Sequence, residues 1–407
     1  MAHILTTQTG SLPRPDSLLE LNRALRKREI DAAMHRARLQ ESVADVVKRQ
    51  AEIGIDIVGD GEYGKSMSQK VDYGAWWSYS FQRLGGLDLG SFDLMRDRAG
   101  AKRHSGNVAL ASFSERRDWQ RFAEAYADPN AGVAPRAPGA GPALFPTCIG
   151  PLSYTGHDAI AADIAHFKAA LRANGLTEAT GFMTSIAPGS CARIGNVYYD
   201  SDEAFLDACA EAMREEYRAI IDAGLILQID DPSIAESWDQ IVPEPAIDDY
   251  RAYTTLRIDA LNHAIRGLPQ DRIRFHLCWG SWHGPHTTDI AFAEIVDLML
   301  RVNAGAYLVE AGHVRHEHEW RIWEGLKLPA GKTLVPGVVS HATNVVEHPE
   351  LVADRIERFA RLVGAQNVMA GTDCGLGGRV HPQIAWAKLE ALVQGAAIAG
   401  RRLQRGS

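Results

Sequence analysis

The sequence predicts an α/β protein, a (β/α)8 TIM barrel formed by a single domain. Short apolar, β-branched runs recur along the chain, and longer runs with helical periodicity separate most of them. Six of the eight predicted strands also end in an ionisable or metal-binding residue. Such residues are expected where barrel strands end, because the active site of this fold class lies at the carboxyl ends of the strands.

Each predicted strand is a short run rich in valine, isoleucine and leucine that stops at glycine, proline or a polar residue. The predicted strands are residues 4–7, 55–58, 182–186, 226–229, the stretch 274–280, 306–309, 334–339 and 368–372. Between them, apolar residues spaced three and four apart predict helices. The predicted helices are residues 38–51, 202–221, 252–265, 290–302, 351–363 and 384–398.

The segment from about 63 to 151 is too long for one βα connection, so we interpret it as an insertion after strand two. It is rich in aromatic residues and contains an extra predicted strand near 143–148. The insertion could cover the barrel mouth, form a homo-oligomer interface, or simply pack against the barrel side. The whole chain, residues 1–407, is otherwise expected to be one domain.

Composition narrows the class of function. The net charge is −8 and there is no long basic run, so nucleic acid is not an expected partner. No run approaches membrane-spanning length, and the first residues do not resemble a signal peptide. The five scattered cysteines argue against a disulfide framework. We therefore expect a cytoplasmic protein with reduced thiols and no membrane partner.

A ring of polar residues follows the predicted strands. These residues are Gly10 and Ser11, Asp60 and Glu62, Ser185 and Gly189, Asp230 and Asp231, His276 and Cys278, Glu310, His341, and Asp373 and Cys374. Burying so many polar groups is costly unless they have a task.

Four of these residues form a candidate metal site. His276 and Cys278 lie two apart on one strand and therefore share a face. Glu310 and Cys374 end strands on the same side of the barrel, and two thiolates, an imidazole and a carboxylate make a tetrahedral Zn²⁺ set. The alternative is that both cysteines are ordinary buried residues. The other three cysteines, Cys148, Cys191 and Cys209, are expected to be inert.

Several motifs occur in the order found in one known family. They are Thr9-Gly10-Ser11-Leu12-Pro13, Gly61-Glu62, Leu227-Gln228-Ile229-Asp230-Asp231-Pro232, His276-Leu277-Cys278, Val309-Glu310, His341-Ala342-Thr343-Asn344 and Asp373-Cys374-Gly375-Leu376. With these motifs the chain resembles the C-terminal catalytic domain of cobalamin-independent methionine synthase, within the superfamily that includes uroporphyrinogen decarboxylase.

The resemblance implies a zinc-dependent transferase for methionine biosynthesis, in which a zinc-bound thiolate of homocysteine takes a methyl group from a small donor. It places the homocysteine carboxylate at Gly10 and Ser11, and the ammonium at Glu62 and Asp230. Asp230 is also a candidate catalytic residue. His341 matches a family histidine that protonates the leaving group, which is a general-acid role.

The chain departs from the family pattern in three places. Asp231 replaces a glutamate, 187–190 replaces a Gly-Pro-Val-Thr stretch, and the loop 279–286 is rich in tryptophan and histidine. One alternative function is therefore epoxide opening by a zinc thiolate, as in epoxyalkane:coenzyme M transferases, with Lys65 or Arg193 as the sulfonate site. Another is a non-catalytic metal-binding protein. The sequence identifies neither the thiol nor the alkyl donor.

Overall fold

The structure, a computed structural model, describes residues 3–65, 75–92, 104–105, 108–133 and 145–405. Its strands are β1 (Val58–Gly59), β2 (Leu84–Phe92), β3 (His104–Ser105), β4 (Val108–Ala109), β5 (Phe145–Tyr154), β6 (Gly181–Ile186), β7 (Gly195–Asn196), β8 (Ile226–Asp231), β9 (Ile273–Leu277), β10 (Ala306–Glu310), β11 (Thr333–Val339) and β12 (Gly371–Thr372).

Helices follow most strands of the main sheet. The α-helices are α1 (Asp16–Arg26), α2 (Ala32–Ile53), α3 (Ala75–Ser78), α4 (Arg117–Arg121), α5 (Ala123–Ala127), α6 (His157–Ala173), α7 (Pro188–Cys191), α8 (Asp202–Asp222), α9 (Ile247–Ala264), α10 (Val296–Met299), α11 (Ile322–Gly325), α12 (Pro349–Val363) and α13 (Pro382–Arg405). Within the described residues, no helix is both long and apolar enough to span a bilayer.

The main sheet is a curled, half-barrel sheet of seven parallel strands in the order β1-β6-β8-β9-β10-β11-β12. Parallel bridges join Thr6 to Ala370, beside β12, and Thr7 to Ile57, beside β1. The segment 5–7 therefore lies between the two edge strands, at the position that an eighth barrel strand would occupy. The prediction of an α/β fold with a parallel sheet is confirmed.

Four of the eight predicted strands, 182–186, 226–229, 306–309 and 334–339, agree with the observed ones to within two residues at both ends. The predicted strand 55–58 overlaps β1 only at Val58, and the predicted stretch 274–280 runs three residues beyond the end of β9. The predicted strand 4–7 appears only as the two isolated bridges, and the predicted strand 368–372 is reduced to β12. Both lie where the sheet joins its ends, and β12 pairs with β11 across a register shift. Regular ladders cannot extend through such an irregularity.

A second, three-stranded sheet has the order β2-β5-β7, with β2 antiparallel to β5. Its strand β5 contains the described part of the extra strand predicted near 143–148. Parts of the predicted insertion, at 66–74, 93–103, 106–107 and 134–144, lie outside the described residues. That residues 63–151 are an insertion after strand two stays a prediction.

The helix predicted over 290–302 is largely wrong. Only α10 is α-helical there, and a 3₁₀ turn, Phe292–Glu294, precedes it. Ile295 has φ −131°, which interrupts the helix. The backbone N–H of Phe292, which lies in the first turn and would have no helical partner, donates to Glu319 Oε1 at 2.7 Å.

Candidate metal centre and active site

Three of the four predicted ligands meet at the carboxyl end of the main sheet. His276 lies near the end of β9 and Cys278 follows that strand, while Cys374 lies two residues after β12. The Sγ atoms of the two cysteines are 3.8 Å apart. One ligand atom from each of the three residues lies within 4.8 Å of the other two. The parallel topology thus brings together residues almost a hundred positions apart.

His276 is oriented for ligation. Its Nδ1–H donates to Asp230 Oδ1 at 2.9 Å, while Nε2 is buried and has no hydrogen-bond partner among the described residues. A histidine whose second nitrogen donates to a carboxylate is the usual arrangement of a metal ligand. Burial lowers the pKa of His276, but the hydrogen bond with Asp230 and the nearby sulfur of Cys374 outweigh it and raise the pKa to about 10.

The pKa values of the two cysteines shift in opposite directions. The hydrogen bond from Cys278 and the neighbouring His276 hold the pKa of Cys374 well below its usual range, although burial opposes this. The same hydrogen bond, together with burial, raises the pKa of Cys278. The backbone N–H of Gly280 also donates to Cys278 Sγ at 3.3 Å. The lowered pKa of Cys374 favours its thiolate, which is the form that binds a soft or borderline cation.

Glu310, the fourth predicted ligand, ends β10 close to the sulfur atoms but does not join the group of three. Its Oε1 accepts the backbone N–H of Trp279 at 3.2 Å, and its carboxylate falls into a second group with His313 and His316. Burial raises the pKa of Glu310 to about 8. Its role as the fourth ligand stays a prediction.

Gly10 and Ser11 lie against the loop that carries Cys374. The carbonyl of Ser11 accepts the backbone N–H groups of Leu376 and Gly377, both at 2.9 Å. Gly10 has φ +119°, and a Cβ there would lie 2.7 Å from Glu62 Oε1, so the position requires glycine. The N-terminal segment, the Glu62 carboxylate and the metal centre are therefore close neighbours.

Glu62 is not a free carboxylate. It accepts the hydroxyl of Thr184 at 2.8 Å, and Lys65 Nζ lies 3.5 Å away. Lys65 is itself buried and donates to Thr184 Oγ1 at 2.5 Å. From the sequence, Glu62 was predicted to bind the ammonium of homocysteine and Lys65 to bind a sulfonate in the alternative function. In the structure these two residues form one ion pair. Their spacing of three residues was the signal that could have revealed this.

Asp230 and Asp231 face different surroundings. Asp230 accepts hydrogen bonds from His276 and, at 2.7 Å, from Gln228 Nε2. Asp231 accepts from Ser190 Oγ at 2.7 Å and from the backbone and hydroxyl of Ser233. Asp230 thus supports the metal centre, whereas Asp231 ties the end of β8 to α7. Gln228 was not recognised from the sequence.

His341 is fully buried, and neither ring nitrogen has a hydrogen-bond partner in the part of the chain that the structure describes. Its ring stacks on His313 with centroids 5.8 Å apart, and its carbonyl accepts from His283 Nε2 at 3.1 Å. Burial, reinforced by neighbouring histidines and Arg379, holds the pKa of His341 well below its usual range. The ring is therefore neutral, and its predicted role as general acid stays a prediction.

A family model described as "Cobalamin-independent synthase, Catalytic domain" matches residues 4–75 and 160–398. The 2-hydroxypropyl-CoM lyase of Xanthobacter autotrophicus is 25% identical over 439 residues, which cover 99% of this chain and 92% of the lyase. A methionine synthase of Thermococcus kodakarensis is 24% identical over 213 residues, 52% of this chain and 54% of that protein.

Solved structures show the same fold. A B12-independent methionine synthase from Shewanella sp. W3-18-1, in complex with selenomethionine, superposes with a TM-score of 0.70 at 20% identity, and 99% of each chain is covered. A putative vitamin-B12 independent methionine synthase from Listeria monocytogenes gives a TM-score of 0.63 at 19% identity, covering 97% of this chain and 98% of that one. Because the family model matches most of the chain, this protein belongs to the cobalamin-independent methionine synthase catalytic-domain family.

Proposed function

We propose that this protein is a zinc-dependent thiol alkyltransferase built on a complete (β/α)8 barrel. The observation that carries the proposal is the convergence of His276, Cys278 and Cys374, with the buried Nε2 of His276 lacking any partner. A buried polar atom without a hydrogen bond is costly, and ligation would satisfy it. The donor set of two sulfurs and one nitrogen suits Zn²⁺, with Glu310 as the proposed fourth ligand.

Bound zinc would lower the pKa of a substrate thiol so that it reacts as a thiolate near neutral pH. The remaining chemistry belongs to the chain. Asp230 fixes the ring of His276, and Ser11 holds the loop after Cys374 in place. The wall formed by Gly10, Glu62 and Lys65 then receives the tail of the thiol. The buried, neutral His341 contributes a proton-exchanging group away from bulk water.

We favour homocysteine as the thiol and methyl transfer as the reaction, since methionine synthases recur among the relatives. The backbone N–H groups near Gly10 and Ser11 would bind the carboxylate, and Asp230 with Glu62 would bind the ammonium. The weakness of this assignment is that Lys65 already compensates the charge of Glu62.

That ion pair favours a second candidate, a thiol with an anionic tail and no ammonium group. Lys65 would then bind the anion, as in a coenzyme M-type reaction, and one relative that spans nearly the whole chain is named as a CoM lyase. Arg193 is less suitable than the sequence suggested, because its guanidinium is already bound to Glu236 and Gln240, both at 2.8 Å.

Calorimetric titration of the zinc-loaded protein with homocysteine, cysteine and coenzyme M distinguishes these candidates. X-ray absorption of each complex reports whether the thiol adds a sulfur ligand to zinc. Homocysteine binding with an added sulfur supports the first candidate, and selective coenzyme M binding supports the second. If no thiol adds a sulfur ligand, the alkyltransferase proposal fails and a non-catalytic metal site becomes the better reading.

Cys374→Ala tests the metal site itself. Because Cys374 supplies one of the two sulfur ligands, we expect the variant to lose bound zinc and any transferase activity together. Cys209→Ala is the control, since Cys209 is a buried cysteine of α8 that lies outside the group of three. Full zinc occupancy in Cys374→Ala would contradict the ligand assignment.

We further propose that the chain is one barrel domain with an insertion at about 63–151. The insertion leaves three possibilities open, a cover for the barrel mouth, a homo-oligomer interface and a segment that only packs against the barrel side. Five unpaired cysteines fit a reducing compartment such as the cytoplasm.

A further inference from the structure

A second group of potential ligands lies beside the thiolate site. The group consists of Glu310, His313 and His316, all buried, and one ligand atom from each lies within 4.8 Å of the other two. Glu310 ends β10, and the two histidines lie in the loop that follows it. This second group contains only nitrogen and oxygen donors, in contrast to the sulfur-rich group of His276, Cys278 and Cys374.

Both ring nitrogens of His316 contact carboxylates. Its Nδ1 lies 2.9 Å from Glu319 Oε2, and its Nε2 lies 3.0 Å from Asp289 Oδ2. A cation that replaced the proton on Nε2 would leave Nδ1–H donating to Glu319, the carboxylate–histidine arrangement that orients metal ligands. Two ligand atoms on a tetrahedral zinc are roughly 3.3 Å apart, given Zn–N distances near 2.0–2.1 Å. The separation of Nε2 and Asp289 Oδ2 is already close to this value.

His313 lies between His316 and His341. Its ring is 5.7 Å from that of His316 and 5.8 Å from that of His341, measured between centroids. Its Nδ1 accepts the backbone N–H of Arg315 at 3.2 Å. Ligation through Nε2 requires the ring proton to move to Nδ1 and this contact to open, which is a change confined to one exposed loop residue, Arg315.

We propose that Glu310, His313 and His316 bind a second divalent cation, with Asp289 beside it. Two histidines and one carboxylate are a known three-ligand set for zinc and for non-haem iron, and they leave a position open. Nitrogen and oxygen donors prefer Zn²⁺, Fe²⁺, Co²⁺ or Mn²⁺ to softer ions. Glu310 is also the proposed fourth ligand of the first site, so its carboxylate would be shared by the two sites.

Metal stoichiometry tests this proposal without any assumption about substrate. The full-length protein is loaded with Co²⁺, desalted and analysed by plasma mass spectrometry, and its visible and near-ultraviolet absorption is recorded. We expect about two ions per chain in the wild type. We expect one ion per chain in His316→Gln, with the sulfur-to-cobalt absorption retained, and one ion in Cys278→Ser, with that absorption lost.

His318→Gln is the matched control, because His318 is exposed on the same turn and should leave the stoichiometry unchanged. One ion per chain in the wild type overturns the proposal, and so does a His316→Gln variant that keeps two. If His316→Gln does not fold, the wild-type stoichiometry alone decides. A missing sulfur-to-cobalt absorption in the wild type would instead contradict the thiolate site and the alkyltransferase proposal.

Discussion

Asp230 illustrates how much a single residue depends on its neighbours. The motif alone suggested a contact to substrate, yet its carboxylate accepts hydrogen bonds from His276 and Gln228. Its clearest role is to hold the imidazole of His276 so that Nε2 faces the two sulfur atoms. Asp230 is therefore a positioning residue that acts through His276.

This role of Asp230 can be measured. Asp230→Asn keeps the shape of the side chain but weakens its hold on His276, so we expect zinc affinity to fall by about 10–100-fold. Competition with a chromophoric chelator gives the affinity. Asp248→Asn, an exposed change on α9, serves as the control. Unchanged affinity in Asp230→Asn would show that His276 does not need this carboxylate.

Asp60 gives a prediction about pH. Burial raises the pKa of Asp60 to about 6, above the ordinary value of 3.8 for an aspartate. The folded state therefore binds the proton of this carboxyl group more tightly than the unfolded state does. The free energy of unfolding falls as the pH rises from the ordinary pKa to the raised one. The penalty at pH 7 is about 3 kcal/mol, at 1.36 kcal/mol for each pKa unit.

Asp60→Asn removes the carboxylate charge but keeps a side-chain oxygen as acceptor. In the wild type the backbone N–H of Glu62 donates to Asp60 Oδ1 at 2.9 Å. We expect the variant to gain stability relative to the wild type between pH 4.5 and pH 7, as measured by urea unfolding at several pH values. A constant difference across this range would mean that Asp60 does not titrate there.

At the scale of elements, one carboxylate joins the two sheets. Glu216 of α8 accepts hydrogen bonds from Tyr79 Oη at 2.8 Å, from Tyr154 Oη at 2.7 Å and from Ser185 Oγ at 2.7 Å. Arg83 Nη1 also donates to it at 3.1 Å. Tyr154 belongs to β5 and Ser185 to β6, so hydrogen bonds to Glu216 of α8 connect the three-stranded sheet to the main sheet.

Glu216→Gln removes the charge at the centre of this network and leaves Arg83 partly uncompensated. We expect a loss of about 3 kcal/mol in the free energy of unfolding, measured by urea denaturation. Glu215→Gln is the control. Glu215 is the neighbour of Glu216 on α8, but its side chain is half exposed and pairs with His157 at the surface. A control variant within about 0.5 kcal/mol of wild type is expected there.

At the scale of the whole molecule, the N-terminal segment completes the sheet. Arg274 of β9 donates from Nη1 to Thr7 Oγ1 at 2.9 Å, from Nη2 to the carbonyl of Gln8 at 2.6 Å, and from Nε to Gln228 Oε1 at 2.7 Å. One buried guanidinium thus links β8, β9 and the segment that lies between β1 and β12. The position of Gly10 and Ser11 depends on this link.

Arg274→Met keeps much of the apolar volume but loses all three hydrogen bonds. We expect faster amide exchange at Thr7 and Thr9. We also expect weaker thiol binding, because Gly10 and Ser11 would no longer be held against the loop that carries Cys374. Hydrogen exchange followed by mass spectrometry measures the first effect. Unchanged exchange in this segment would mean that the bridges to Ile57 and Ala370 suffice.

The sequence predicted the helices and strands best where local pattern and tertiary packing agree. The strands β6, β8, β9, β10 and β11 are apolar runs buried on both faces, and the pattern located all of them. It failed over 290–302, where the backbone of Ile295 leaves the helical region, and it missed α1 and α6. An amphipathic pattern reports burial of one face and does not specify the backbone conformation of each residue.

By itself, the sequence determined the α/β class, the parallel sheet, and the neighbouring positions of the candidate ligands His276 and Cys278, since all of these follow from local pattern. Only the tertiary structure decided which distant groups meet. It paired Lys65 with Glu62, turned Asp230 toward His276, and placed Glu310 with His313 and His316. The physical reason is that charge compensation and ligation depend on distances of a few ångströms, which spacing along the chain does not specify.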